Sequence, residues 1–161
     1  MIEIKSENKV YEIVTLNNNT FFHAEAIIKE SNLIFEGIVS DYNGLLDLLK
    51  NNIAVHKAKL FVIYQGNEII SYAVVFFNRN PTVQLSYNTH IAYLFVQSLF
   101  RKKQIGQQML EHIINYSVLN KSIAVTLHVS KDNTAALRLY RKNGFIEKTI
   151  LSNYSVFYLK L

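Results

Sequence analysis

The stretch from Ile91 to Asn115, IAYLFVQSLFRKKQIGQQMLEHIIN, limits what this chain can fold into more than any other. The apolar run from Ile91 to Val96 suits a buried strand, and after a short polar turn Ile105, Met109, Ile113 and Tyr116 recur at helical spacing. The order is strand, loop, helix. The connection from Val96 through this helix to the next apolar run at Ile123 is long enough for a parallel crossover.

Charge at the turn narrows the reading. Arg101, Lys102 and Lys103 stand where the helix begins. The helix dipole leaves the equivalent of roughly +0.5 charge there, so each cation is mispaired by about 0.3 to 1 kcal/mol. An anion would answer both. The free backbone N–H groups of the first turn, at Gln104, Ile105, Gly106 and Gln107, can donate to phosphate oxygens, and Gly106 lets a large group lie close to the main chain. A polyphosphate satisfies all of these features, although a basic turn before an amphipathic helix is also an ordinary solvated surface.

From Val96 the spacing V-x-x-x-x-R-x-x-x-I-G resembles the acyl-CoA-binding segment of the GCN5-related N-acetyltransferases, whose loop signature is Q/R-x-x-G-x-G/A. Arg101 and Gly106 fit, while Gln104 stands at the first glycine. A second segment, NTAALRLYRKNGF from Asn133 to Phe145, is similar to the family's N-x-x-A-x-x-L-Y-x-x-x-G-F at every specified position. The resemblance covers Ile53 to Leu161 well, and the N-terminal third only in its order of elements.

Length and composition set outer bounds. With 161 residues, half of them hydrophobic, the chain suits a single domain over 1–161. It has no cysteine, which excludes a disulfide scaffold, a thiolate metal site and a thiol nucleophile. No apolar run approaches membrane-spanning length, and MIEIKSENK carries charges where a signal peptide needs an apolar region. The expectation is a soluble cytoplasmic protein with no membrane partner. A net charge of +5 eases capture of anions and mildly disfavours a cationic partner.

In chain order, strands are expected at Val10 to Leu16, Leu60 to Gln65 and Glu68 to Phe77, the last two joined through Gly66-Asn67. After a turn at Asn80-Pro81, an extended segment runs from Val83 to Val96 with a kink near Asn88. Further strands follow at Ile123 to Val129, Phe145 to Leu151 and Val156 to Leu161. Helices are expected from Thr20 to Ser31, from Asp41 or Asn43 through Leu49, from Gln104, and from Asn133 to Lys142. This order, β-α-α-β-β-β-α-β-α-β-β, implies an α/β (α+β) fold: a mixed, mostly antiparallel central sheet with helices on both faces. The resemblance names it the acyl-CoA N-acyltransferase fold.

The resemblance also implies roles. The strands flanking the central helix splay apart, and pantetheine lies in the gap like an added strand on backbone groups of Leu94, Phe95 and Val96. Arg101, Lys102, Lys103, Gln104, Ile105, Gly106 and Gln107 receive the pyrophosphate. Asn133, Ala136 and Tyr140 line the cofactor from the next helix, with Tyr140 as the catalytic proton donor to the departing thiolate. From residue chemistry alone, Asn133 is equally an N-cap and Tyr140 a core aromatic. Phe21, Phe22, Glu25 and Tyr42 border the family's acceptor groove, though core or surface roles are simpler for each. His90 and His128 are two weak candidates for a base. His23, His56 and His112 have no ligand spacing, so no metal is expected.

The expected activity is acyl transfer from acetyl-CoA to a primary amine by direct attack, with a longer acyl group left open. The acceptor is a small molecule or peptide amine; aminoacyl-tRNA is a disfavoured alternative, and a homodimer is left open. The competing reading is a non-catalytic acyl-CoA-binding or protein-interaction module on the same fold.

Overall fold

Gly66, in the left-handed conformation at φ +60°, turns the chain between two long apolar runs and closes the first hairpin. The computed structural model describes residues 9–31, 41–80 and 85–161. The strands are β1 (Ile13–Leu16), β2 (Ala58–Gln65), β3 (Glu68–Arg79), β4 (Tyr87–Val96), β5 (Ala124–Ser130), β6 (Ile146–Ile150) and β7 (Tyr154–Lys160). The helices are α1 (Glu25–Glu30), α2 (Tyr42–Ala54), α3 (Ile105–Leu119) and α4 (Thr134–Lys142). One sheet in the order β1-β2-β3-β4-β5-β7-β6 results. Its pairs are antiparallel except β4 with β5, where α3 makes the crossover.

Helices cover both faces. One core cluster joins α3 and α4 to Ile91, Val125, Leu127 and Phe157. The other joins α1 and α2 to Leu60, Val62, Val74 and Tyr93. Ile91 and Tyr93 lie on opposite faces although two residues apart, because a bulge at Ala92 interrupts the register: Val75 pairs with Ile91 but Val74 with Tyr93. Beyond the bulge every side chain of β4 changes face.

Several boundaries differ from the expected ones. The first strand begins at Ile13, not Val10. The segment before it is held by a side chain instead: the Tyr11 N–H donates to Gln108 Oε1 at 2.9 Å, and Gln108 Nε2 donates to the Lys9 carbonyl at 2.8 Å. Thr20 does not cap a helix. Asn17 Oδ1 accepts from the N–H groups of Asn19 and Thr20 in an Asx turn, and a 3-10 turn, Phe21–Ala24, precedes α1. Asp41 caps α2, its Oδ1 accepting from the Gly44 N–H at 2.7 Å. That helix continues past Leu49 because Ile53 extends the buried stripe of Leu45 and Leu49. Asn88 pairs regularly with Asn78 and Ala124, so the irregularity in β4 is the bulge at Ala92 and not a kink at Asn88. Pro81 and Val83, where a turn and the start of the extended segment were expected, lie outside the described residues. The last strand begins at Tyr154, two residues before the expected Val156. No helix among the described residues is long and apolar enough to cross a membrane.

Candidate active site

The site is built where β4 and β5 part. Their parallel pairing runs only from Asn88–Ala124 to Ile91–Leu127. Past Ile91 and Leu127, beyond the bulge, the pairing of β4 with β5 does not continue among the described residues. The two edges therefore face a gap that an extended, amide-bearing chain can enter, with the Val96 carbonyl already taken by Arg101. Leu94 and Val96 face the α3 and α4 side of this edge, Phe95 the other.

The loop from Gln97 to Gln104 closes the upper end. Arg101 folds back, donating from Nε to the Val96 carbonyl at 3.0 Å with its guanidinium 5.8 Å from the Phe95 ring centre. Arg101 thus ties the loop to the strand. Lys103 lies 5.5 Å over the Phe100 ring. Lys102 and Gln104 are both left-handed, at φ +60° and +62°. Gln104 is the N-cap of α3 but makes no side-chain cap bond, and the first turn carries no acidic residue. The α3 start therefore presents first-turn N–H groups beside three cations, with no acidic residue in that turn to answer them. Gln104 keeps the backbone conformation that a glycine adopts freely, at a strain of about 1 to 2 kcal/mol.

Gly106 joins the pieces. A Cβ there would lie 3.6 Å from Leu139 Cδ2 and 3.9 Å from Val96 Cγ2, which is ordinary contact. Packing within the protein does not require the glycine. The Gln107 side chain is committed elsewhere: its amide exchanges two 2.8 Å hydrogen bonds with Asn143 and donates a third to Glu111. Only its backbone N–H remains for an anion, and the side-chain pair fixes α3 against the end of α4.

On α4, Asn133 is the N-cap, its Oδ1 accepting from the Ala136 N–H at 3.2 Å, while its Nδ2 stays free to donate. Gly144, at φ +88°, ends the helix in a Schellman motif: the Phe145 N–H donates to the Tyr140 carbonyl and the Gly144 N–H to the Arg141 carbonyl, both at 3.1 Å. Phe145 then packs edge-on to Tyr140 at 5.5 Å. Tyr140 is buried, and burial pushes its phenol up to about 12. It stays protonated throughout the physiological range.

Three rings form a row on the other face, from β4 to β5 to β7. His90 and His128 meet edge-on at 5.1 Å, and His128 stacks on Tyr154 at 5.3 Å. His90 Nδ1 lies 2.8 Å from Thr126 Oγ1, and burial, with His128 adding to it, pushes its imidazole down to about 4. His128 is exposed, one residue past the last parallel pair. Sequence reading missed Tyr154 because it placed that residue in a loop, and no sequence signal marked the bulge. Of the groove candidates, Phe21 is fully buried in the core, Glu25 pairs with Lys50 at 3.1 Å, and Tyr42 donates to the Lys29 carbonyl. Phe22 is exposed, with its ring against His23.

A splayed parallel pair, a basic loop at a helix start and a second helix packed across the gap define an acyl-CoA-type transferase fold. Residues 24–145 match the acetyltransferase (GNAT) family, and the chain belongs to it. A ribosomal protein bS18-alanine N-acetyltransferase of Salmonella typhimurium is 36% identical over 55 residues, which span 34% of this chain and 37% of that protein. The fold is shared with the ribosomal-protein-alanine N-acetyltransferase of Brucella melitensis (TM-score 0.75, 18% identity, 93% of this chain and 99% of that one). It is shared equally with the PaiA N-acetyltransferase of Thermoplasma acidophilum, solved in complex with coenzyme A (TM-score 0.74, 16% identity, 95% and 100% covered).

Proposed function

We propose that the protein transfers an acetyl group from acetyl-CoA to a primary amine in a ternary complex. The observation that carries this reading is the gap that opens where the pairing of β4 with β5 ends, with the α3 start at its upper end. Residues Leu94, Phe95 and Val96 would hold the pantetheine amides; the first-turn N–H groups of α3, with Lys102, Lys103 and the free end of Arg101, would hold the pyrophosphate. Asn133 Nδ2 and the small Ala136 would border the cofactor from α4.

Bound acetyl-CoA supplies an activated thioester carbonyl. A backbone N–H near Val96 donates to its oxygen as negative charge develops there. His128 is the better placed of the two histidines to take the amine proton. His90, held neutral down to about pH 4, is a poor acceptor, whereas His128 is exposed at the gap and can pass its proton to water. The amine nitrogen bonds to the acetyl carbon, the carbon–sulfur bond breaks, and CoA leaves as the thiol. Tyr140 donates a hydrogen bond to the departing sulfur. With its phenol near 12 it is a weaker acid than a thiol near 8.5, so the final proton comes from solvent.

The non-catalytic alternative drew on Gln104 and on the lack of an evident base. Gln104 adopts the left-handed conformation a glycine would take, and His128 stands at the gap, so turnover is the better supported reading. The Salmonella relative's name directs the acceptor screen toward protein amino termini. Thiol release from acetyl-CoA should depend on an amine acceptor and fall on His128→Gln. Tight acetyl-CoA binding without thiol release, across peptide, polyamine and amino-acid acceptors at alkaline pH, would favour the binding module.

A further inference from the structure

Among the described residues, no helix covers the β5–β7 half of one sheet face. The cluster that α1 and α2 build draws on β1 to β4 and on no residue of β5, β6 or β7. Phe157 and Leu159 belong to the α3 and α4 side. Alternation therefore puts Tyr154, Val156, Tyr158 and Lys160 of β7 on the bare side. Register sets His128 against Val156 and Thr126 against Tyr158, so this surface continues the histidine row away from the gap.

Among the described residues its charge has one sign. Lys148, at the bulge of β6, brings its ammonium to 4.9 Å from the Tyr158 ring centre, and Lys160 stands one alternation further along β7. No described residue of these strands puts a carboxylate on that face. Glu147 is turned to the opposite side, bound by Ser155 Oγ, whose register partner Val129 lies in the α3 and α4 core. Asp132 sits in the β5–α4 loop. Glu30 and Glu68 meet Gln97 beyond the end of β4, at the β3 side of the sheet. The chain's net charge of +5 reinforces the local field.

Two residues along a strand span about 7 Å. A peptide whose terminal amine reaches His128 therefore brings its second and third side chains over Tyr158 and Lys148, with Lys160 one alternation, about 7 Å, further on. We propose that the acceptor is a peptide or protein amino terminus with aspartate or glutamate at its second or third position, lying across β5 and β7 with its carboxylates at these two lysines. This rests on the transferase reading for its location, and on the bare cationic face for its chemistry.

The test uses two synthetic peptides with the same amino-terminal alanine, one with aspartate and one with lysine at positions two and three. Fluorescence anisotropy measures each against the CoA-saturated protein, and thiol release gives kcat/KM for each. The acidic peptide should bind about tenfold more tightly or better at low salt, with the advantage shrinking as salt rises. Lys148→Glu with Lys160→Glu should abolish the preference while acetyl-CoA affinity is kept; Lys148→Gln with Lys160→Gln serves if the double reversal melts early. Equal binding, a preference for the basic peptide, or a preference that survives loss of both lysines overturns the proposal. So does a concentration-dependent dimer that the lysine variant dissociates, since the face would then be a self-association surface. A preserved preference in a protein that releases no thiol supports the surface and sinks only the transfer reading.

Discussion

Replacing Gly106 by alanine separates folding from cofactor binding. The added methyl meets Leu139 and Val96 at 3.6 and 3.9 Å, so no protein atom must move. In the first turn of α3, alanine gains part of the roughly 1 kcal/mol by which it exceeds glycine in a helix interior; about 0.5 kcal/mol is a fair share. For a chain of this size that raises Tm by about 1 to 2 °C without ligand. The pyrophosphate is assigned to the backbone of this turn, where added bulk should disturb its approach, and a tenfold loss of affinity, about 1.4 kcal/mol, is the expected scale. At an acetyl-CoA concentration of about 100 times the wild-type Kd, ligand stabilises the wild type by about 2.7 kcal/mol and the variant by about 1.4. The ligand-induced rise in Tm is thus about halved, from about 5 to 11 °C to about 3 to 6 °C. Thermal melts with and without acetyl-CoA, with titration calorimetry for Kd, read both effects. A variant that is more stable and binds acetyl-CoA as the wild type does would refute the placement of the cofactor against Gly106. A variant that melts lower without ligand would refute the packing argument.

Tyr140→Phe keeps the ring volume and should leave acetyl-CoA affinity nearly unchanged. Loss of the hydroxyl removes the hydrogen bond to the departing sulfur and should lower kcat by about tenfold to a hundredfold; a chemistry-limited thiol-release assay with no change would return Tyr140 to packing alone. Gln104→Gly should relieve about 1 to 2 kcal/mol of left-handed strain and lose about 0.4 to 1 kcal/mol to the freer unfolded chain, a net gain near 0.5 kcal/mol; a lower denaturation midpoint would contradict the strain argument. His90 titrates near 4 when folded and near 6.5 when unfolded, so the unfolded chain binds its proton first as pH falls. The native state therefore loses up to about 3 kcal/mol between pH 6.5 and 4, and His90→Gln should flatten that acid limb in urea melts across pH; an unchanged limb would assign the loss to other groups.

How much of this was legible in the sequence follows from what each residue signals locally. The crossover from β4 through α3, the hairpin at Gly66 and the Gly144 stop are written in periodicity and in glycine, and the structure has them. The resemblance carried the splayed gap and the pairing of Arg101 to Gly106 with Asn133 to Tyr140. The bulge at Ala92 was not legible, because it depends on which residues of β3 face it, and with it went the face of Tyr93 and Phe95. Gln107 and Arg101 looked like free polar groups, yet the tertiary partners Asn143 and the Val96 carbonyl take them up. The row His90, His128, Tyr154 joins three strands distant in sequence, and only the strand order brings it together.

The central claim is that acetyl-CoA occupies the gap between β4 and β5 with its pyrophosphate at the start of α3. Amide hydrogen exchange, read residue by residue with and without saturating acetyl-CoA, tests it most directly, since ligand contacts protect the backbone groups they bond. The account predicts new protection at Leu94 to Val96 and at Gln104 to Gln107, with the β1–β2 and β6–β7 pairs unchanged. Exchange at Leu94 to Val96 and Gln104 to Gln107 that stays at the ligand-free rate under saturating acetyl-CoA would contradict it.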